Sequence, residues 1–344
     1  MRALFIHGEK DLRLGDLPEP ELKPGEYKLK VASALICGSD LHYYIEGGIG
    51  TRRIQKPHVP GHEFAAWVWD DRAEEVGLKK GQLVAVEPSH FCRECEYCRR
   101  GLPHLCTSLR FRGSPPNHGA MTEFIAAPRE SIIPVPEGFT ADEVAFLEPV
   151  GIGIHALKKA DLQLADSVAI LGCGPIGLVL LQLARAHGAG TIYCADPLEY
   201  RAKKALALGA DQVGASYKDI VDMTGGRGVD LAIDATTSPD AMAETIAMVR
   251  PAGRIVLVGI PTGVNYNAFD AMPFRSKEPT IKICNRMSEV YPEAIEAVRR
   301  GMINVKAIIT HHGAMEDAVS LFERQGSYRD GSLKSAIYPN GVPN

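Results

Sequence analysis

The chain has 344 residues, of which 45% are hydrophobic and 23% charged, with a formal net charge of −4. That length exceeds one ordinary core and implies two domains, and the acidic balance excludes a field that would hold nucleic acid or anionic lipid. No apolar run approaches the roughly 18 residues that a membrane span needs, and the first twenty residues show no signal-peptide pattern, so a soluble cytoplasmic protein with reduced cysteines is expected.

In chain order, the first 150 residues read as β-rich. Short runs such as Lys28-Leu29-Lys30-Val31 and Leu83-Val84-Ala85-Val86 are broken by Pro and Gly. From about Ser167 the character changes. Val168 to Leu171 is a short apolar run ending at glycine, and Ile176 to His187 is apolar at helical spacing. A strand at 191–195, a helix from Glu199 to Leu208, a strand at 229–233, a helix from Asp240 to Val249 and a strand at 254–258 follow. Strands alternating with helices imply an α/β fold whose parallel sheet is covered on both faces. After about Cys284 the elements are mixed, with a helix expected from Pro292 to Arg300. We therefore expect domains at 1–150, 151–284 and 285–344, the last returning to the first, with a cysteine lobe at 89–112.

Gly172-Cys173-Gly174-Pro175-Ile176-Gly177 fits G-x-G-x-x-G between a strand and a helix, the context that gives the motif its meaning. The first glycine allows the tight turn, the second the approach of a pyrophosphate and the third close helix–strand packing. The pyrophosphate faces the unpaired N–H groups of the helix N-terminus, and Pro175 suits an early helical position. Asp196 ends the next strand, where a carboxylate accepts the ribose hydroxyls of NAD and repels the 2′-phosphate of NADP. Its alternative role is to cap the following helix. Arg201, a turn further on, is read as packing near the adenine.

Cys92, Cys95, Cys98 and Cys106 follow C-x2-C-x2-C-x7-C. Four thiolates so spaced close a tetrahedral zinc site that is shut to substrate. The first three spacings also match a ferredoxin-type cluster, but Cys106 comes late for that pattern and Thr107, not proline, follows it.

With these features on the page, the chain resembles the zinc-containing medium-chain dehydrogenases over essentially its whole length. The resemblance is carried by Cys37-Gly38-Ser39-Asp40, Gly61-His62-Glu63, the four-cysteine lobe, Glu148-Pro149 and the glycine loop, in that family's order. Leu41 to Tyr44, Gly113 to Pro116, Phe146-Leu147 and Lys282 to Arg286 resemble its polyol branch of sorbitol, xylitol and L-idonate dehydrogenases.

The resemblance implies a Rossmann-type doubly wound domain inserted in a GroES-like catalytic domain, two zinc ions per chain, NAD as cofactor and a homo-oligomer, dimer or tetramer, with Thr280 to Cys284 as the candidate pairing edge. It implies a catalytic zinc held by Cys37, His62 and the carboxylates of Glu63 and Glu148, which trade between direct and indirect contact. It implies that Ser39 relays the proton, that Tyr43 and Arg286 contact substrate hydroxyls, and that Val258, Gly259 and Ile260 line the nicotinamide. Residue types alone leave Cys37 open as a core thiol, His62 as an ordinary buried histidine and Glu148 as a solvated turn carboxylate. His155, His311 and His312 are read as structural or surface residues.

The implied activity is oxidation of a secondary hydroxyl of a polyol or sugar derivative to a ketone. The alternatives are an L-threonine or 2,3-butanediol dehydrogenase, a zinc-free reductase of the same fold and, remotely, a non-catalytic zinc protein binding nucleic acid. Met287 stands where sorbitol dehydrogenases carry tyrosine, which puts sorbitol itself in question. Trp67 and Trp69 stand after Glu63 where the family usually has glycine, and alternation puts both on one strand face.

Overall fold

Alternating apolar residues make Glu26–Leu35 the long central strand of a seven-stranded sheet, buried from Val31 to Leu35. The computed structural model describes residues 1–342. Along the sheet the order is Ile132–Pro134, Leu83–Val86, Glu63–Val68, Glu26–Leu35, Lys334–Tyr338 and Ile309–Ala314, and Phe124–Pro128 also pairs with the central strand. Leu35 lies opposite Glu63, and Ala336 opposite Leu35. This register brings three distant stretches of chain to one end of the sheet, where Cys37 begins the next helix. Leu4, Ile6, Leu29, Val31, Phe64, Met121 and Phe322 pack in the accompanying core.

The second unit is built on a six-stranded sheet in the order Gln212–Gly214, Ile192–Ala195, Val168–Leu171, Val229–Asp234, Val249–Leu257, Thr280–Ile283, with every pairing parallel. Helices follow these strands, beginning with Pro175–Ala186 and Glu199–Ala207. The order reverses direction beside the first strand, Val168–Leu171, so a crevice opens beyond its carboxyl end, where the glycine loop starts. The helices expected at 240–249 and 292–300 are Ala241–Met248 and Tyr291–Arg299. Tyr217–Met223 and Ala271–Lys277 are additional short helices that the apolar spacing did not reveal.

The two compact units are Met1–Glu148 with Val305–Asn344, and Pro149–Asn304. The second unit thus extends past the expected boundary at 284. The reason lies in its packing. A Cβ on Gly151 would come within 2.5 Å of the Met287 sulfur and 3.1 Å of Val290, so the helix Leu147–Ala160 lies tightly on that segment. Lys158 also pairs with Glu293 at 2.6 Å.

Candidate metal and cofactor sites

Cys37 is the N-cap of the helix Gly38–Glu46, with the extended backbone expected there. Its own N–H is accepted by Asp40 Oδ2 at 3.0 Å, and the other oxygen of Asp40 accepts the N–H of Gly61 at 3.1 Å. One wholly buried carboxylate therefore ties the Cys37 turn to the residue before His62. Gly61 has a φ of 98°, and a Cβ there would come within 2.9 Å of Met121, so glycine alone fits this turn. His62 and Glu63 follow at the start of the strand Glu63–Val68.

Donor atoms of Cys37, His62 and Glu63 lie within 4.8 Å of one another. Burial and the neighbouring Glu63 push the Cys37 thiol up to about 12. His62 Nδ1 is buried without a hydrogen-bond partner, 4.0 Å from Asp40. Glu148, in the first turn of Leu147–Ala160, is 5% exposed and has no hydrogen-bond partner among the described residues. Burial pushes its carboxyl well above the usual range, His62 opposes this, and Glu63 and Cys37 add to it. Glu148 is close enough for that mutual influence but is not in the tight triplet. The two carboxylates and a Cys37 thiolate would repel one another when ionised, with the His62 imidazole beside them and Lys334 the cation bonded to Glu63. A divalent ion offsets this repulsion and suits the donor set, so the residues fit zinc.

Lys334, on the strand Lys334–Tyr338, was not singled out by sequence. Its Nζ donates to both Glu63 oxygens at 2.9 and 2.8 Å and to the Ile36 carbonyl at 3.0 Å. It is the buried cation that orients Glu63. Asp40 and Lys334 carry no spacing signal, because their roles depend on strand register and turn geometry.

The four cysteines of the lobe also converge to within 4.8 Å. Cys106 and Cys92 sulfurs are 3.4 Å apart, and Cys92 and Cys98 sulfurs 4.0 Å. Sulfurs bound at about 2.3 Å around one tetrahedral zinc stand roughly 3.8 Å apart, so the lobe fits such an ion. Backbone N–H groups of Cys92 and Cys95 donate to the sulfurs of Cys106 and Cys92, each at 3.3 Å. Backbone donors from Cys98 and Thr107 bring the Cys95 thiol down to about 6.

Gly172 turns at φ 93°, and Gly174 is the N-cap of Pro175–Ala186. A Cβ on Gly177 would lie 1.8 Å from the Gly172 carbonyl oxygen, whereas one on Gly174 would meet only the Arg201 guanidinium at 3.7 Å. The third glycine thus serves packing, and the second keeps space open. Asp196 is 5% exposed and accepts the N–H groups of Cys173 and Leu198, each at 2.9 Å. It therefore fixes the glycine loop and the next turn together. Arg201 stacks on Tyr200 and its Nη1 lies 3.9 Å from Asp196.

The family description "Alcohol dehydrogenase GroES-like domain" matches residues 23–137, and "Zinc-binding dehydrogenase" matches residues 175–300. A sorbitol dehydrogenase of Bacillus subtilis (strain 168) is 32% identical over 345 residues, covering 99% of this chain and 98% of that protein. The chain belongs to the zinc-binding dehydrogenases. Among solved zinc-binding dehydrogenase folds, L-idonate 5-dehydrogenase of Escherichia coli str. K-12 substr. MG1655 superposes with a TM-score of 0.88 at 26% identity, covering 98% and 97% of the two chains. The 2R,3R-butanediol dehydrogenase of Bacillus subtilis gives 0.84 at 26% identity, covering 98% and 99%. In this zinc-binding dehydrogenase chain, Ser39 sits in the first turn after Cys37 and acts to lower that thiol's pKa. Tyr43 is buried, its hydroxyl 3.0 Å from Ser114 Oγ, which also accepts Arg52 at 3.1 Å. Val258 and Gly259 donate backbone N–H groups to the Asp234 carbonyl, Ile260 is exposed and Arg286 sits at φ 58°. His312 bonds Tyr338, and His311 bonds Thr310. No helix among the described residues is long and apolar enough to cross a membrane.

Proposed function

We propose that this zinc-binding dehydrogenase oxidises a secondary hydroxyl of a polyol or related sugar derivative to a ketone, with hydride passed to NAD and one proton released. The observation that carries the reading is the triplet of Cys37, His62 and Glu63 donors within 4.8 Å of one another. The names of the relatives above supply the substrate class.

In this reading Cys37, His62 and Glu63 hold a catalytic zinc with Glu148 beside them, and Cys92, Cys95, Cys98 and Cys106 hold a structural one. When bound, the catalytic ion supplies Lewis acidity that makes a nearby hydroxyl easier to deprotonate. The protein's own groups do the rest. Ser39 passes the proton outward, since a hydroxyl both donates and accepts without holding charge. Glu148, buried and unpartnered, is a second proton acceptor beside the triplet. Lys334 holds Glu63 aimed through hydrogen bonds to both of its oxygens. Tyr43 and Arg286 recognise further hydroxyls, which lets the pocket reject analogues lacking them. Asp196 takes the ribose hydroxyls of NAD, Gly172, Gly174, Pro175, Ile176 and Gly177 cradle the pyrophosphate with Arg201 near the adenine, and the backbone of Val258, Gly259 and Ile260 faces the nicotinamide.

The test is NADH formation across a panel of polyols, with L-threonine and 2,3-butanediol included, alongside metal analysis. We expect two zincs per chain and turnover confined to polyols. Turnover that survives complete chelation sinks the zinc mechanism, and turnover with butanediol alone moves the chain to the second reading, to which the 0.84 superposition lends only weak support. We further propose a cytoplasmic homo-oligomer, supported by eight free cysteines and by the open sheet edge at Thr280–Ile283.

A further inference from the structure

Beside the two-stranded ribbon of Ser89–His90 and Arg110–Phe111 lies a cavity of about 410 Å³ that none of the zinc-site or glycine-loop residues lines. Its volume suits a metabolite of a few carbons, at the lower end of the ~300–1,000 Å³ common for ligand pockets. Four cationic side chains, Lys23, Arg93, Arg110 and Arg112, meet there. Arg110 in the ribbon and Arg112 in the turn after it both line the cavity. His90 pairs with Arg110 across the ribbon.

Arg112 is the decisive group. Its Nη2 donates to the Ala126 carbonyl at 2.7 Å, but its Nε is buried without a hydrogen-bond partner. No carboxylate among the described residues comes within ion-pair distance of it, and burial pulls the guanidinium down to about 10. Arg112 is half-buried, and its enclosed Nε donor is left for an acceptor that the cavity does not supply. The carboxylates in the same cavity are turned to other partners: Glu26 accepts the Lys23 backbone N–H at 3.0 Å, and Glu87 accepts that of Ser89 at 2.9 Å. With Glu130 they number three carboxylates against four cations along the cavity wall.

We infer that this cavity binds a small oxyanion, a phosphate- or carboxylate-bearing metabolite, through the guanidinium groups of Arg112 and Arg110. A guanidinium with free donors suits the planar, bidentate geometry of such groups. None of the residues proposed to hold zinc, substrate or NAD lines this cavity, so the proposed occupant is a further ligand.

Calorimetric titration of the zinc-loaded protein, saturated with NAD so that the glycine loop is filled, tests this with inorganic phosphate and with succinate as probes. Saturable binding of phosphate that weakens about tenfold or more in both Arg112→Met and Arg110→Gln supports a phosphate-bearing ligand. The same pattern with succinate supports a carboxylate. Should Arg112→Met fail to fold, Arg110→Gln decides alone, because Arg110 is exposed and makes no hydrogen bond or ion pair among the described residues. Absence of saturable binding by either probe, or binding unchanged in the variants, overturns the inference.

Discussion

Glu63 and Lys334 form a buried ion pair whose two side chains are almost entirely removed from solvent. Removing one partner of such a pair leaves the other charge stranded. Lys334→Met is therefore expected to destabilise the zinc-loaded protein by about 3–5 kcal/mol, read from urea unfolding, with Lys334→Arg recovering part of it. Stability equal to that of the parent would show that Lys334 is not what balances Glu63. Asp196 supports a different expectation. Both its oxygens accept backbone N–H groups, yet an ionised carboxylate has about four acceptor positions and can still take ribose hydroxyls. Asp196→Ala should raise the Michaelis constant for NAD roughly 10- to 100-fold, as loss of charge-assisted bonds implies, and narrow the preference over NADP. An unchanged constant would reduce Asp196 to a loop brace. At this scale the sequence is uneven. Asp196 was legible because strand, glycine loop and acidic residue follow one another along the chain. Cys37, His62 and Glu63 were joined only by family resemblance, since the Leu35–Glu63 pairing that unites them is invisible in spacing. Lys334 was missed because nothing in Ser332-Leu333-Lys334-Ser335 marks a lysine destined for burial.

At the scale of elements, the glycine loop separates two demands that one motif combines. Gly177→Ala drives a methyl into the Gly172 carbonyl, and should lower stability by about 3 kcal/mol, as overpacking at a rigid backbone does. Gly174→Ala meets open space, so it should fold normally and lose NAD affinity about tenfold or more, because the methyl occupies the place of the pyrophosphate. Equal NAD affinity in Gly174→Ala and parent would remove the pyrophosphate from this turn. The strand Val229–Asp234 yields a pH expectation. Burial pushes the Asp234 carboxyl up to about 6, against hydrogen bonds from Thr236. Its folded pKa exceeds its ordinary value, so its contribution is complete below that value and is lost as pH rises through the folded one. The loss across the interval is about 3 kcal/mol. Asp234→Asn should therefore gain stability relative to the parent between about pH 4 and 6 and hold a constant margin above about pH 7, measured by chemical unfolding. A margin independent of pH would place the titration elsewhere. The strands and long helices of this unit were readable because their periodicity is strong. The short elements Tyr217–Met223 and Ala271–Lys277 were not, since one or two turns offer too few apolar repeats.

On the scale of the whole molecule, the second boundary was misplaced for a packing reason. Residues past Cys284 look mixed in sequence, yet Met287 and Val290 fit against Gly151, which no local pattern encodes. The segment just before them is the proposed assembly surface. Thr280–Ile283 is an edge strand, paired on one side only, and Ile283 is 62% exposed. Val264 and Met272, in the same unit, are each 62% exposed as well. In a parallel pair, alternate residues point their backbone groups to opposite sides. The Cys284 N–H bonds the Leu257 carbonyl, so Lys282 faces inward with it, while Ile281 and Ile283 present theirs to the open edge. An exposed edge left open can pair with an equivalent edge, and in the proposed assembly a second copy of this chain related by two-fold symmetry supplies one. Ile283→Pro deletes an outward N–H while sparing the internal ladder, a change that edge strands tolerate. Sedimentation should find the parent as a dimer or larger and Ile283→Pro shifted to monomer, with the zinc content of each chain unchanged. A variant that keeps the parent's size would move the assembly surface away from this edge, and a monomeric parent would abolish it.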